Sequence, residues 1–236
     1  MISAFTGIEF RIRYIRVMST NKLILAIPKG RILEQLLPVL ERADIVLEEK
    51  FFDKADRSLR FATNNAELDV IRVRSFDVPS FVAYGGAQLG IAGSDVLAEF
   101  DYPDLYTPLD MNLGHCRMSV AMPEGLAETD KAESWSHVRV ATKYPRITRQ
   151  FYAEMGVQAE CIKLNGAMEL APSLGLCNRI VDLVETGSTL KANGLVEVKT
   201  IMNVSSRLVV NRPAYKTDGE RVRNWVDKLA AAVNHA

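Results

Sequence analysis

Cysteine and histidine are both scarce in this chain of 236 residues, with three of each. Cys116, Cys161 and Cys177 are far apart, odd in number and without metal-ligand spacing, which argues against a disulfide framework or a zinc knuckle and suits a reducing, cytoplasmic setting. His115, His137 and His235 are equally scattered, so no histidine metal site is expected, and a lone catalytic histidine would lack a suggested partner. The adjacent His115 and Cys116 read as a structural pair at a strand edge. Excess charge of either sign is missing too: Lys plus Arg is 29, Asp plus Glu is 29, and the formal net charge is zero. That balance gives no footprint for nucleic acid or for an anionic membrane surface, so any basic residue that matters must act locally. No apolar run reaches the roughly 18 to 20 residues of a membrane span. The opening MISAFTGIEFRIRYIRV is not a secretory signal, because Arg11, Arg13 and Arg16 come late and interrupt the apolar residues. STNKLILAIPKG after Met18 reads like a natural beginning. Residues 1–20 are therefore expected to be a dispensable extension, the alternative being an extra strand or arm.

What is present is ordinary for a soluble domain, 48% hydrophobic and 25% charged residues, in a chain long enough for one large or two small α/β lobes. A short apolar run, a turn and an amphipathic helix recur. Lys22 to Ile27 predicts a strand, and Ile32, Leu33, Leu36, Leu37 and Leu40 fall on one helical face after it. Leu68 to Val73 predicts a second strand, with Asp77 as cap and Pro79 in the first turn of the next helix. Leu89 to Gly93 is a third, and Ser94-Asp95 opens another helix. Strands follow at 117–122, 138–142, 161–164 and 180–184. Helices are expected up to Met155, from Ala167 to Leu174 (with Pro172 a doubtful member) and after Leu190. Extended chain covers 196–210. A final helix from about Asp218 buries Val222, Trp225, Val226, Leu229 and Val233. Such alternation predicts a mainly parallel sheet with helices on both faces. The change of character at 110–114 divides it into two lobes around a cleft, the usual place for a ligand.

Three segments can carry chemistry. In Arg179 to Leu195, RIVDLVETGSTLKANGL, a strand buried on both faces runs into Glu185-Thr186-Gly187-Ser188-Thr189 and then a helix start. Backbone N–H groups and three hydroxyls converge there, which suits a phosphate. An ordinary strand-to-helix turn with a Thr or Ser cap is the plainer reading. It is neither a Walker loop nor a GxGxxG loop. Asp182 and Glu185 would repel a phosphate, so sugar hydroxyls or a ligand-borne Mg²⁺ would be their targets. In Pro28-Lys29-Gly30-Arg31, two cations sit at a helix start, where the dipole disfavours them unless an anion binds, the alternative being a solvated surface pair of charges. The third segment, Arg72 to Asp95, holds Arg74, Asp77, Gly85-Gly86, Gly93, Ser94 and Asp95, which could equally be helix caps and turns.

In this order, LILAIPKGRI, RSFDVPSFVAYGGAQLGIAGSDVLAEF, RVATKYPRITRQFYAEMG, IKLNGAMELAPSLGL and RIVDLVETGSTLKANGL resemble ATP phosphoribosyltransferase, over nearly all the chain from Lys22. The resemblance implies an α/β fold of two lobes, each a mixed, mainly parallel sheet with flanking helices, like the type II periplasmic binding proteins. The first lobe would comprise 21–112 plus 203–236 and the second 113–202. It implies that Asp182, Glu185, Thr186, Gly187, Ser188 and Thr189 bind phosphoribosyl pyrophosphate. Lys29, Gly30, Arg31, Arg74, Asp77, Gly93 and Asp95 would face ATP, with Lys29, Arg31 and Arg74 stabilising charge in catalysis. Mg²⁺ would travel on the substrates, without a dedicated protein metal site. Because the chain ends soon after the Asp218 helix, it resembles the short form, which lacks the C-terminal regulatory domain. A histidyl-tRNA-synthetase-like regulatory subunit and self-association are then expected, with no nucleic acid or membrane. Two residues depart from the pattern, Gln88 where the family usually has Asp and Ala167 where it often has Ser. A phosphoribosyltransferase for another base and a non-catalytic two-lobed solute-binding protein are the alternatives.

Overall fold

The computed structural model describes residues 22–130 and 136–234; the extension at 1–20 lies outside them. Strands and helices follow in the order β1 (Leu23–Pro28), α1 (Arg31–Arg42), β2 (Arg60–Ala62), β3 (Leu68–Val73), α2 (Val78–Ala83), β4 (Leu89–Gly93), α3 (Ser94–Phe100), β5 (Leu105–Asp110), β6 (Cys116–Pro123) and α4 (Glu124–Ala127). Then come β7 (His137–Thr142), α5 (Pro145–Glu154), β8 (Gln158–Lys163), α6 (Leu170–Ser173), β9 (Arg179–Val184), α7 (Ser188–Ala192), β10 (Leu195–Val204), β11 (Ser206–Asn211), α8 (Arg212–Thr217) and α9 (Gly219–Asn234).

Two sheets result. The first has the order β2-β3-β1-β4-β11-β5 and the second β10-β6-β9-β7-β8. In the first, β3, β1 and β4 run parallel, while β2, β11 and β5 pair antiparallel. In the second, β9, β7 and β8 are parallel, and β6 and β10 are antiparallel. Antiparallel pairing is thus as prominent as parallel. The chain crosses between sheets at 111–115 and returns at Ser205; β6 and β11, the first strand after each crossing, run against the parallel strands of their sheets. β10 stays paired to β6 as far as Val204 opposite Cys116, so the return lies just beyond the expected 202/203 boundary.

The periodicity of the sequence explains the helices. The apolar face of α1, with Leu36, Val39 and Leu40, packs with Val222, Trp225 and Leu229 of α9 on one face of the first sheet, and α2 covers the other with Val78 and Val82. Each such fully buried side chain contributes roughly 1.5–3 kcal/mol relative to exposure. The second sheet is covered by α5 on one face and by α6 and α7 on the other. The helix expected over 167–174 shrinks to Leu170–Ser173, because Ala167 has φ +54° and Pro172 cannot donate. Asp77 does not cap α2: its carboxylate makes no capping bond, and a 3₁₀ turn over Ser75–Asp77 precedes the helix. Gln88 ties the turn before β4 to β1, its side-chain oxygen accepting from Ile24 N at 2.9 Å.

Candidate active site

The parallel strands of both sheets end at one cleft, where α/β proteins place ligands. Three adjoining cavities run along it. One of about 300 Å³ is lined by Arg31, Asp182 and the loop Glu185–Thr189. One of about 550 Å³ at the other end is lined by Lys29, Arg74, Asp77, Lys143, Lys163 and Asn165. A neck of about 140 Å³ joins them, sharing Arg31, Cys116 and Leu183 with the first and Ser75, Phe76 and Lys143 with the second. The expected residues are therefore brought to one trough but divided along it. Lys29, Arg74 and Asp77 sit at the wide end, Gly93 and Asp95 in the neck, and Arg31 beside the loop.

The loop is a strand-to-helix turn with its first residues turned outward. Gly187 has φ +77°, a conformation glycine adopts without strain, and it stands at the N-cap of α7. The hydroxyls of Thr186 and Ser188 lie 3.0 Å apart, and Ser188 N–H donates to Thr186 Oγ1 at 3.3 Å. Asn193 Nδ2 donates to the carbonyl of Thr189 at 2.9 Å and steadies the turn. The loop is held from behind by Arg117, which donates to the carbonyl of Glu185 at 3.2 Å and grips Glu197 through Nε and NH2 at 2.6 and 2.5 Å. That grip, with Ser119 Oγ donating at 2.7 Å, holds the Glu197 carboxyl down to about 2. Across the cleft, the guanidinium of Arg31 pairs with the Glu185 carboxylate. Both side chains are about half exposed, so an incoming anion can take Arg31 at little cost.

Asp182 sits below the loop on β9. Burial raises its carboxyl to about 6, with the Glu169 and Asp95 carboxylates adding to the rise and Lys143 and the Leu183 N–H opposing it. Such a group gains from a hydroxyl or cation delivered to it. In the neck, burial and the neighbouring Asp95 and Asp182 carboxylates push the Cys116 thiol up, so it is not primed as a nucleophile. Ser206 Oγ is fully buried beside it without a hydrogen-bond partner among the described atoms. Among the described residues no group of three or more His, Cys, Asp or Glu could hold a metal ion, and no helix is long and apolar enough to cross a membrane.

A family model described as HisG: ATP phosphoribosyltransferase matches residues 74–231. The ATP phosphoribosyltransferase of Paramagnetospirillum magneticum is 58% identical over 212 residues, covering 90% of this chain and 97% of that one. The chain belongs to the ATP phosphoribosyltransferase family. The Novosphingobium aromaticivorans ATP phosphoribosyltransferase is 59% identical over 211 residues, covering 89% of this chain and 95% of its own. Among solved structures, the ATP phosphoribosyl transferase (HisG:HisZ) complex from Thermotoga maritima matches at 33% identity and a TM-score of 0.76, covering 91% of this chain and all of that one. The periplasmic aliphatic sulphonate binding protein SsuA from Escherichia coli shares the fold at 14% identity, with a TM-score of 0.56 over 91% of this chain and 69% of its own. The two-lobed binding-protein architecture expected from the sequence is therefore the fold of this chain.

Sequence reasoning missed Lys143, Lys163, Tyr144 and Ser206. The two lysines had a readable signal. Lys29 follows β1, Arg74 follows β3, Lys143 follows β7 and Lys163 ends β8, so each wide-end cation stands at the carboxyl end of a parallel strand. Tyr144 and Ser206 had none, since their neighbours in the neck are distant in sequence.

Proposed function

We propose that phosphoribosyl pyrophosphate binds at the narrow end of the trough and ATP at the wide end, so that they meet at the neck. The observation that carries this reading is the continuity of the three cavities, with a phosphate-type loop at one end and four cations at the other. The family's reaction, which this chain performs, transfers the phosphoribosyl group of phosphoribosyl pyrophosphate to N1 of ATP and releases pyrophosphate, the first step of histidine biosynthesis. The loop Glu185–Thr189 receives the 5′-phosphate on its backbone N–H groups and hydroxyls. Asp182 and Glu185 take the ribose side. Lys29, Arg74, Lys143 and Lys163 neutralise the triphosphate, with Asp77 and Asn165 limiting its placement. Gly30 lets the chain approach that ligand closely, and Arg31, released from Glu185, faces the departing pyrophosphate.

Adenine N1 carries a free lone pair at neutral pH, so the site needs no strong base. Its work is to hold two polyanions in line and to stabilise the leaving group. Mg²⁺ brought by the substrates would supply further charge neutralisation, and Asp182, Glu185 and Glu169 are the carboxylates lining the loop cavity that could reach it. The HisG:HisZ pairing of the Thermotoga complex supports a histidyl-tRNA-synthetase-like regulatory partner for this chain, in a cytoplasmic hetero-oligomer whose catalytic subunits also self-associate.

The test is an absorbance assay of adduct formation with ATP, phosphoribosyl pyrophosphate, Mg²⁺ and pyrophosphatase, with and without that partner. Product is expected in both, faster with the partner. Thr189→Ala is expected to raise KM for phosphoribosyl pyrophosphate about tenfold or more with the fold intact, as removal of a bond to a charged group does. Unchanged kinetics in that variant would dismiss the loop assignment.

A further inference from the structure

The neck contains a linkage that neither substrate-binding end accounts for. Asp95 and Tyr144 come from different sheets and are only 3% and 2% exposed. Tyr144 Oη donates to Asp95 Oδ2 at 2.8 Å. The other oxygen, Oδ1, folds back over Gly93 and fills the space a Cβ there would need. The N–H groups of Val96 and of Asp95 itself also point to the carboxylate. Both carboxylate oxygens are thus engaged, and Gly93 is small because Asp95 lies on it. Tyr144 is fixed in turn: its N–H donates to Thr142 Oγ1 at 2.9 Å, and that hydroxyl donates to the carbonyl of Val181 at 2.9 Å. Val181 immediately precedes Asp182 on β9. The Tyr144 ring packs on Phe76, whose own ring lies under Lys143 Nζ, 4.2 Å from its centroid.

We propose that Gly93, Asp95 and Tyr144 form a cross-cleft pin whose role is to fix the spacing between the two bound substrates, and that Asp95 does this instead of contacting ATP. The inference rests on the substrate placement proposed above. The pin runs from the end of β4, on the nucleotide side, through Tyr144 and Thr142 to β9, on the phosphoribosyl side. It crosses the cleft where N1 must come within about 3–3.5 Å of the anomeric carbon, and a misplacement of about 1 Å there can cost roughly 100-fold in rate. Tyr144 and Asp95 are positioning residues: the Tyr144 proton is given to Asp95, and the Asp95 carboxylate is taken by Tyr144 and the Val96 and Asp95 N–H groups.

Steady-state kinetics of the full chain with both substrates, with melting temperatures recorded in parallel, tests the pin. Tyr144→Phe is expected to lower kcat about 10- to 100-fold while both KM values stay within about twofold, the signature of an interaction that matters only at the transition state. Asp95→Ala should match it, and the double variant should be no slower than either single one, because both remove one link. Asp95→Asn should keep near wild-type rate, since its amide nitrogen can donate to Tyr144 Oη while its oxygen retains the Val96 N–H. If Tyr144→Phe does not fold, Asp95→Asn decides alone. Loss of rate in Asp95→Asn with retention in Tyr144→Phe would overturn the pin and make the carboxylate a direct substrate ligand. A rise in KM for ATP with unchanged kcat in Tyr144→Phe would overturn it likewise. Wild-type enzyme giving no product would instead remove the function on which the pin rests.

Discussion

At the scale of single residues, Asp182 shows a site group that works against the fold. Its folded carboxyl titrates near 6 against an ordinary 3.8, chiefly because burial disfavours the charge. The folded state then binds more protons than the unfolded one between those values, so stability falls as pH rises through that window, and the full cost is present above about 6. Asp182→Asn removes the charge. It is expected to be more stable than wild type by roughly 3 kcal/mol at pH 8 and nearly equal to it below pH 4, at about 1.4 kcal/mol per tenfold change in proton affinity. Urea titrations at the two pH values measure this, and a gain of the same size at both would show that packing, not charge, is responsible. The same variant should bind phosphoribosyl pyrophosphate more weakly. At this scale the sequence was legible where a residue's neighbours are local. The loop Glu185–Thr189 could be read because strand, glycine and hydroxyls are consecutive. The pairing of Asp95 with Tyr144 could not, because 49 residues separate them and only the packing of α3 on α5 joins them.

At the scale of elements, that same α3–α5 seam carries much of the contact between the sheets. Helix α5 has no capping side chain of its own. Glu99 of α3 supplies one from the other sheet, its carboxylate accepting from Arg146 N at 2.9 Å and from Ile147 N at 3.0 Å. Arg146 answers by donating to the carbonyl of Ala98 at 2.8 Å and pairing with Asp101. Glu99→Ala is expected to cost about 1–2 kcal/mol, as loss of an N-cap does. The exposed Arg139–Glu160 pair is the control, and Glu160→Ala should change stability by no more than about 1 kcal/mol. Urea midpoints at unchanged slope give both values, and equal losses would deny the cap its role. The long, strongly patterned elements were legible for the usual reasons of burial period. Strand β5 was not: Leu105–Asp110 includes Pro108, which erases the strand signal and is tolerated because β5 is an edge strand. Strand β2, with three residues, is too short to show a period at all.

At the scale of the whole molecule, the question is whether the two sheets fold as one unit. Each has its own buried clusters, yet the cluster on the α5 face of the second sheet takes in Phe76 and Ala98 from the first. The chain crosses between the sheets at 111–115 and again at Ser205, where Ser94 N–H donates to the Ser205 carbonyl at 2.9 Å. Among the described residues the cleft is spanned by the two covalent crossings, the Glu99 cap with the Arg146 contacts that answer it, the Asp95–Tyr144 bond, the Phe76–Tyr144 packing and the Arg31–Glu185 pair. Removing either sheet would expose Phe76, Tyr144 and Ile147, so neither should persist alone. The chain is expected to unfold in one transition, with calorimetric and van't Hoff enthalpies in agreement at fixed protein concentration. Placed as proposed, phosphoribosyl pyrophosphate would touch the loop on one side and Arg31 on the other, so it should stabilise that single unit. At about 100 times its dissociation constant the gain should be roughly 2.7 kcal/mol, or about 5–10 °C for a chain of this size. Two resolved transitions, with only one moved by the ligand, would show that the sheets are energetically separate and that the cleft is bridged by contacts too weak to couple them.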